Sequence, residues 1–423
     1  MKEITRKMLI KDQPRYVRYM SANLINRFGD AVDSLATVWL TYEVTGSASM
    51  SALAYACNML PTVILTPLLG AYVEKLNKKK VMVLVDFMRA VLVCLYLFLY
   101  VSGILNVAMI LTLTVLTSSV EAFGQPAISA FVTEILDKEY YEVGVGTNRA
   151  MMSAMELVGN ALAGIILATF GIAGAFVVDG CTFVIAALLK LSIPYKQRIH
   201  EQHANTPYLT MLKDGFVYLR KSKVLLTLCF IGLFLNASLV PFNAVLAPYI
   251  GTYLNGSPMF LSLVSIGVSA GAMFGGFLYP TISKKISTNM QFAIAGICAA
   301  LLYFSFTLVA VLSLPLYVSI ALLFVFIFFM GVAVSIGGSI ANITFISRVD
   351  QEYLSRSSAI IDAFFYSGMP ITSVVVSIVV ASLSIPQVFL IFGCICLACF
   401  GIILHNKTLK GDTSDVNTTA TTI

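Results

Sequence analysis

The chain has 423 residues, of which 58% are hydrophobic and 11% are charged, and its mean hydropathy is +0.89. This composition is typical of a chain whose solvent is mostly lipid, and it excludes a soluble fold. The formal net charge is +6. In a soluble protein that charge would suggest a nucleic-acid partner, but here the basic residues lie between apolar segments. We therefore expect no nucleic-acid binding.

Twelve apolar segments of roughly 20 residues each are predicted to cross the membrane, since this length spans a hydrocarbon core of about 30 Å. They lie near residues 17–42, 49–72, 81–102, 105–127, 144–169, 171–193, 225–248, 259–281, 288–312, 315–340, 357–382 and 386–405. The predicted fold class is an all-α integral membrane protein with two bundles of six helices.

Lysine and arginine are distributed unevenly over the connections between these segments. The amino-terminal segment and the even-numbered connections carry them, from Lys78–Lys80 in the second connection to Lys284 and Lys285 in the eighth. The odd-numbered connections carry none. By the positive-inside rule, both termini are expected in the cytoplasm, and the chain is expected to be a multi-pass membrane protein.

The chain is predicted to divide into four parts. Residues 1–193 form the first six-helix bundle, 194–224 a cytoplasmic linker with an amphipathic helix, 225–405 the second bundle, and 406–423 a cytoplasmic tail. The two halves resemble each other, because VTEILDKEY at 132–140 aligns with FISRVDQEY at 345–353. Two six-helix halves in the same orientation are the arrangement of many secondary transporters.

Charged side chains inside predicted spans need a reason to be there, because each costs on the order of 3 kcal/mol at the centre of a span when it is unpaired. The leading candidates for binding a transported proton are Asp30 in span 1, Glu121 in span 4 and Glu156 in span 5, followed by Asp33 and Asp179. Such a carboxylate takes up or releases a proton when a conformational change alters its burial and its distance from an arginine.

Arg27 and Arg149 are the expected charge partners of these carboxylates. A purely structural alternative stays open, in which Arg27 pairs with Asp30, and Arg149 with Glu156, only to hold helices together. Further polar residues on the predicted spans are candidates for lining a substrate cavity: Asn23, Asn26, Thr117, Asn160, Asn236, Asn243, Asp362 and Tyr366. The second half is otherwise apolar and rich in aromatic residues, which suits an amphipathic solute.

The connection between spans 2 and 3 reads GAYVEKLNKKK at 70–80 and resembles the signature of the major facilitator superfamily. That signature is Gly, three residues, Asp, Arg, any residue, Gly and two or three basic residues. Its positions are occupied here by Gly70, Glu74, Lys75, Lys78 and Lys79, with Asn77 in place of the second Gly. The resemblance implies that these residues form a cytoplasmic gate motif in which the Glu74 carboxylate connects the two halves.

Asp86 and Arg89 are expected to join this gate network, because they lie near the same end of span 3. Within the superfamily, FGDAVDSLATVWLTYEVTGSA at 28–48, AFGQPAISAFVTEIL at 122–136 and FVVDGCTF at 176–183 are similar to the macrolide-efflux and siderophore-export branch of drug:proton antiporters. Two positions depart from the antiporter pattern. Thr117 replaces the arginine of span 4, and Gly159-Asn160 replaces Gly-Pro in span 5.

The resemblance implies a transporter in the inner membrane of a bacterium that uses the proton gradient to export an amphipathic drug, secreted metabolite or siderophore, with no cofactor. Two alternatives stay open. One is an importer or lysolipid flippase on the same scaffold, and the other is a non-transporting scaffold or sensor. No pattern of an enzyme or a metal site is present, since no nucleophile and base or metal-ligand cluster has a useful spacing. The oligomeric state is left open, with a monomer as the expectation.

Overall fold

The computed structural model describes residues 6–74, 76–196, 216–217, 220, 222–254, 256, 259–282, 285–348 and 351–404. The regular structure of these residues is helical, without a strand among them, which confirms the all-α prediction. Most of the predicted linker, its amphipathic helix and the tail at 406–423 lie outside the described residues.

In chain order, the helices of the amino-terminal half are α1 (Arg6–Asp12), α2 (Pro14–Thr45), α3 (Ala48–Glu74), α4 (Lys78–Val101), α5 (Val107–Ile135), a 3-10 turn (Lys138–Tyr140) and α6 (Tyr141–Leu191). Those of the carboxyl-terminal half are α7 (Lys223–Tyr253), α8 (Met259–Ile282), α9 (Thr288–Leu312), α10 (Leu316–Arg348), α11 (Gln351–Val380) and α12 (Ile385–Leu404). α1 to α6 belong to one compact unit, and α7, most of α8 and α9 to α12 belong to a second.

Ten helices of the described chain, α3 to α12, are long and apolar enough to cross a membrane. α2 has the length for it, but its middle carries Arg27, Asp30 and Asp33. α6 is exceptional, because 51 helical residues would extend about 75 Å. Its path is interrupted at Gly171, whose φ of 66° and ψ of −171° are not helical. The interruption falls where the sequence predicts the end of span 5 and the start of span 6.

Local hydrogen bonds and backbone conformation determine where the helices begin and end. α2 ends at Gly46, whose φ of 60° lies in the left-handed region that favours glycine, and whose N–H donates to the carbonyl oxygen of Tyr42. α4 begins after Asn77, whose side chain accepts a hydrogen bond from the backbone N–H of Lys80. The residue that departs from the superfamily signature at 77 is therefore the cap that starts α4.

The first unit is built around α2, which packs along α6. Two glycines permit this close approach. A Cβ at Gly29 would overlap Thr182 Oγ1, and a Cβ at Gly159 would lie 2.7 Å from the Cβ of Ala31. Closer to the amino-terminal end of α2, its buried aromatic residues contact α5, and the ring centroids of Tyr19 and Phe131 are 5.8 Å apart. α2 is thus held rigidly within its unit.

The second unit has an aromatic core. The rings of Tyr249, Tyr303, Phe306 and Phe389 are almost fully buried, and Tyr249 and Phe306 meet edge to face at 4.8 Å. The Tyr249 hydroxyl donates to the carbonyl oxygen of Phe306 at 2.7 Å. α8 and α10 approach backbone to backbone, because a Cβ at Gly271 would overlap the carbonyl oxygen of Phe328.

Candidate functional site

A cluster of charged side chains lies halfway along α2 and α4 and in the part of α6 that follows Gly171. Arg89 on α4 donates from Nη2 to Oδ1 of Asp30 on α2 at 2.9 Å. The guanidinium carbon of Arg89 lies 4.2 Å from the ring centroid of Phe183 on α6. Since the side chains of Arg89 and Asp30 are only 11% and 27% exposed, this ion pair is weakly screened.

Asp179 on α6 is the most deeply buried acid of this cluster, with no exposed surface. Neither of its carboxyl oxygens has a hydrogen-bond partner among the described residues. The nearby Thr182 hydroxyl does not satisfy it, because this hydroxyl donates to the backbone oxygen of Asp179 at 2.7 Å. The charges that act on Asp179 come from Asp33, Asp30 and Arg89.

Asp33 differs from Asp179 in two respects. Its residue is only half-buried, and its Oδ1 accepts a hydrogen bond from Thr37 Oγ1 at 3.2 Å. The structure therefore brings Asp30, Asp33 and Asp179, which the sequence offers as separate candidates, into one cluster with Arg89. Glu121 on α5 acts electrostatically on Arg89 and on Asp33.

The pairing in the structural alternative, Arg27 with Asp30 and Arg149 with Glu156, is wrong, although Arg27 does pair with one of the candidate carboxylates. Arg27 pairs with Glu156, with 2.6 Å between Nη2 and Oε2, and Asp30 pairs with Arg89. The physical reason is that α2 packs between two partners. Arg27 meets α6, whereas Asp30, almost one turn further on, meets α4. Arg149 is exposed and forms no ion pair with the residues that the structure describes.

A second network closes one end of the first unit. Asp86 on α4 and Lys190 at the end of α6 form an ion pair at 2.6 Å, with side-chain exposures of 4% and 3%. Asn26 on α2 donates from Nδ2 to the other oxygen of Asp86 at 2.9 Å. Asn26 is therefore part of this network and satisfies a buried carboxylate there.

The basic residues of the predicted gate motif join the same end. Lys79 Nζ donates to the carbonyl oxygens of Leu191 at 2.6 Å and Ile193 at 2.8 Å, which would otherwise be unsatisfied at the end of α6. Lys78 Nζ lies 3.5 Å from an oxygen of Glu134 on α5. Of the other motif residues, Lys75, the surroundings of Gly70 and the side chain of Glu74 lie outside the described part of the chain.

Arg89 was expected in this gate network but lies about one turn further along α4, where it binds Asp30. Two partners that the sequence analysis did not assign complete the network, namely Glu134 and Tyr195. The Tyr195 hydroxyl donates to Glu134 Oε2 at 2.5 Å, and burial, together with this hydrogen bond, raises the pKa of Tyr195. The sequence did contain one indication of the role of Glu134. This residue is an acid in the apolar α5, and the connection before α4 is rich in lysine residues that could pair with it.

The predicted cavity residues are scattered. Asn23 donates to the Tyr19 hydroxyl at 3.3 Å, and Asn236 donates to the carbonyl oxygen of Gly232 in its own helix at 2.9 Å. Thr117 Oγ1 is buried and has no hydrogen-bond partner within the described part of the chain. Asn160 and Asn243 are half-buried, Tyr366 is 49% exposed, and the side chain of Asp362 lies outside the described residues.

Comparison with known proteins covers nearly the whole chain. Residues 13–422 match the model of the family described as transmembrane secretion effector. Macrolide efflux protein A of Streptococcus pyogenes is 22% identical over 391 residues, which make up 91% of this chain and 95% of that protein. The multidrug efflux pump Tap of Mycobacterium bovis is 22% identical over 281 residues, or 65% of this chain and 67% of the pump.

The fold is also similar to that of a solved transporter. The nucleoside transporter NupG superposes with a TM-score of 0.73 and 14% identity, over 93% of this chain and 100% of NupG. These similarities indicate a multi-pass membrane transporter rather than an enzyme, in agreement with the helical architecture. The chain belongs to the transmembrane secretion effector family of the major facilitator superfamily.

Proposed function

We propose that this transporter exports an amphipathic small molecule from a bacterial cell by alternating access and that protons entering through the first unit drive the export. The chain would cross the inner membrane twelve times, with α2 and the two parts of α6 supplying spans 1, 5 and 6. The distribution of lysine and arginine supports a cytoplasmic location of both termini.

The observation that carries the proposal is the imbalance of charge halfway along the helices of the first unit. Five carboxylates, on Asp30, Asp33, Glu121, Glu156 and Asp179, act with only two guanidinium groups, those of Arg27 and Arg89. Two of the acids are ion-paired, and the other three have no ion-pair partner among the described residues. Protons are the smallest cations that restore neutrality at such a site.

The proton gradient supplies enough free energy to drive such a transport cycle. A proton that moves down a potential of 100 mV releases about 2.3 kcal/mol, which biases a cycle whose two states differ by a few kcal/mol. The proposed energy source therefore needs no nucleotide, and the chain has no Gly-rich phosphate loop that ends in Lys-Ser or Lys-Thr.

Two further observations support the direction and the class of cargo. Relatives that match over most of the chain are named as efflux proteins. The second unit offers apolar and aromatic side chains, with buried polar groups that are mainly serines, Asn289 and Gln291. A unit of this composition is suited to contact with an amphipathic molecule.

The test is accumulation of labelled macrolides, hydrophobic cations and siderophores in cells that express the wild-type protein, with and without a protonophore. We expect lowered accumulation of at least one compound and loss of this effect with the protonophore. Arg149→Gln is the matched control, because Arg149 is exposed and has no ion-pair partner in the described chain; it should export like the wild type.

Other outcomes would point elsewhere. Raised accumulation would indicate an importer. Movement of a labelled lysolipid between leaflets, without export of the soluble panel, would indicate a flippase. No transport of any compound would favour a non-transporting scaffold or sensor, and export that the protonophore does not affect would contradict the proton coupling.

A further inference from the structure

We propose that Asp179 binds the transported proton and that Arg89 changes its partner from Asp30 to Asp179 when this proton leaves. The inference rests on the proton coupling proposed above and names the site and the moving side chain. It assigns a role to the Asp179 carboxyl group and to Nε of Arg89, neither of which has a hydrogen-bond partner among the described residues.

The first observation is the isolation of the Asp179 carboxyl group. It is fully buried, and neither oxygen is hydrogen-bonded within the described chain. An ionised carboxylate in such a place costs several kcal/mol unless it is paired, whereas the neutral acid has a much smaller penalty. The conformation described here is therefore the one in which Asp179 carries the proton.

The second observation is an unused donor on Arg89. One of its terminal nitrogens binds Asp30, but its Nε is buried and has no acceptor among the residues described. A guanidinium group has five N–H donors in a planar fork, so it can serve a second carboxylate. Arg89 is also the cation that acts on Asp179.

The other charged groups around this site favour Asp179 over its neighbours as the proton carrier. From α2, Asp30 is ion-paired, and Asp33 is half-buried with a hydrogen bond from Thr37, so both are better suited to remain charged. From α5, Glu121 acts on Arg89 and Asp33. Mutual repulsion of Asp33 and Asp179 adds to the need for one proton at this pair.

The proposed step is a simple proton transfer. The O–H bond of the Asp179 carboxylic acid breaks, the proton passes to water, and the remaining carboxylate attracts Arg89 from Asp30. Gly29 connects this step to movement of the helices. A Cβ there would lie only 2.6 Å from Asp179 Oδ1, so α2 and α6 touch at the carboxyl group itself. A change of charge at Asp179 is thereby transmitted directly to the packing of α2 against α6.

Infrared difference spectroscopy of the full-length protein in lipid membranes, between acidic and alkaline pH, tests the assignment without any transported compound. The wild type should show the carbonyl band of a buried carboxylic acid that disappears on titration to alkaline pH. Asp179→Asn should lack this band. Asp33→Asn is the matched control and should keep this band at acidic pH, because Asp33 is not the carrier, with the titration of the band moved to lower pH because the repulsion from Asp33 is gone.

Arg89→Gln tests the exchange of partners. Without the guanidinium group, the acid band should persist at the alkaline end of the titration, where the wild type has lost it. Asp179→Asn should also abolish transport driven by a pH gradient while still exchanging labelled macrolide for unlabelled macrolide across the membrane without a gradient. A residue with a merely structural role would impair both kinds of transport.

The assignment is overturned if the band survives in Asp179→Asn or is absent at acidic pH in Asp33→Asn. Should Asp179→Asn fail to fold, the spectra of Asp33→Asn and Arg89→Gln still decide, because absence of the band at acidic pH in the first or an unchanged titration in the second contradicts the proposal. Wild-type transport that ignores the pH gradient would instead refute the proposed function, irrespective of where the band resides.

Discussion

The two units of this transporter are stabilised by different forces. All four ion pairs between described residues belong to the first unit, where Lys78, Asp86, Asp179 and Lys190 are buried. The buried polar side chains of the second unit in the described chain are uncharged, and its core is a cluster of aromatic rings. Charge is thus concentrated in one unit, and apolar packing dominates the other.

The proposed function gives each unit a different task, and this difference in stabilising forces is compatible with that proposal. A group that responds to protons must be charged in one state and neutral in another, which requires nearby partners of both signs. A surface for an amphipathic cargo requires the opposite, since buried charges without partners would cost more than the cargo gains by binding. Substitutions in each unit test whether the stabilising forces differ as described.

The largest effect is expected for Asp86→Ala. It leaves Lys190 buried beside no carboxylate, and removal of one partner from a buried ion pair costs about 3–5 kcal/mol. We expect loss of most folded protein in detergent, measured by size exclusion and thermal unfolding. The double variant Asp86→Ala, Lys190→Met is the control and should recover part of the stability, because no uncompensated charge remains.

In the second unit, Gly271→Ala should destabilise by about 1–3 kcal/mol, the cost of overpacking a tight interface. The new Cβ would overlap a backbone carbonyl oxygen, that of Phe328, which cannot rotate away. Thermal unfolding measures the loss. Gly338→Ala is the matched control, because nothing lies within 4 Å of its Cβ position. Equal stability of the two variants would contradict the close contact of α8 and α10.

Gly29→Ala in the first unit should destabilise less, by about 1 kcal/mol, because the group it meets is the side chain of Thr182, which can change rotamer. Its effect on function should exceed its effect on stability, since the displaced contact includes the Asp179 carboxyl group. Export and thermal unfolding are compared with those of Gly146→Ala, a glycine of α6 with open space at the Cβ position. Unchanged export in Gly29→Ala would contradict the role of this contact.

The smallest effect on stability is expected for removal of the whole pair of Arg27 and Glu156 by the double variant Arg27→Gln, Glu156→Gln, which leaves neither charge unpaired. The side chains of Arg27 and Glu156 are 38% and 40% exposed, and ion pairs of such exposure contribute about 0.2–1 kcal/mol. Unfolding temperatures of Arg27→Gln, Glu156→Gln and the double variant measure the coupling. A loss as large as that of Asp86→Ala would show that this pair is as important to folding as the buried one.

Much of the fold could be predicted from the sequence, since apolar length and turn residues determine the helices. The predicted segment at 288–312 coincides with α9. α5 extends to Ile135, eight residues beyond its predicted end at 127, because Glu134 and Tyr195 bind each other there and stabilise further helical turns. Apolar length indicates the part of a helix inside the membrane, but not how far it continues beyond it.

The candidate site was predicted less completely. The sequence identified Arg27 and Asp30 as charged residues within span 1, yet it could not tell which helices face them. The partners Glu156 and Arg89 are 129 and 59 residues away in the chain. Asp179 was one acid among several in the sequence, and only its burial without a hydrogen-bond partner distinguishes it from the others.

The most direct measurement uses liposomes that contain the purified protein in their membrane and a pH-sensitive dye in their lumen. A macrolide that the cells export is added outside, and the luminal pH is recorded. Inward movement of the macrolide should drive protons out, so the lumen should become alkaline with the wild type and with Arg149→Gln, but not with Asp179→Asn. Macrolide uptake by the wild type without a change in luminal pH, or with acidification, would contradict proton antiport through the first unit.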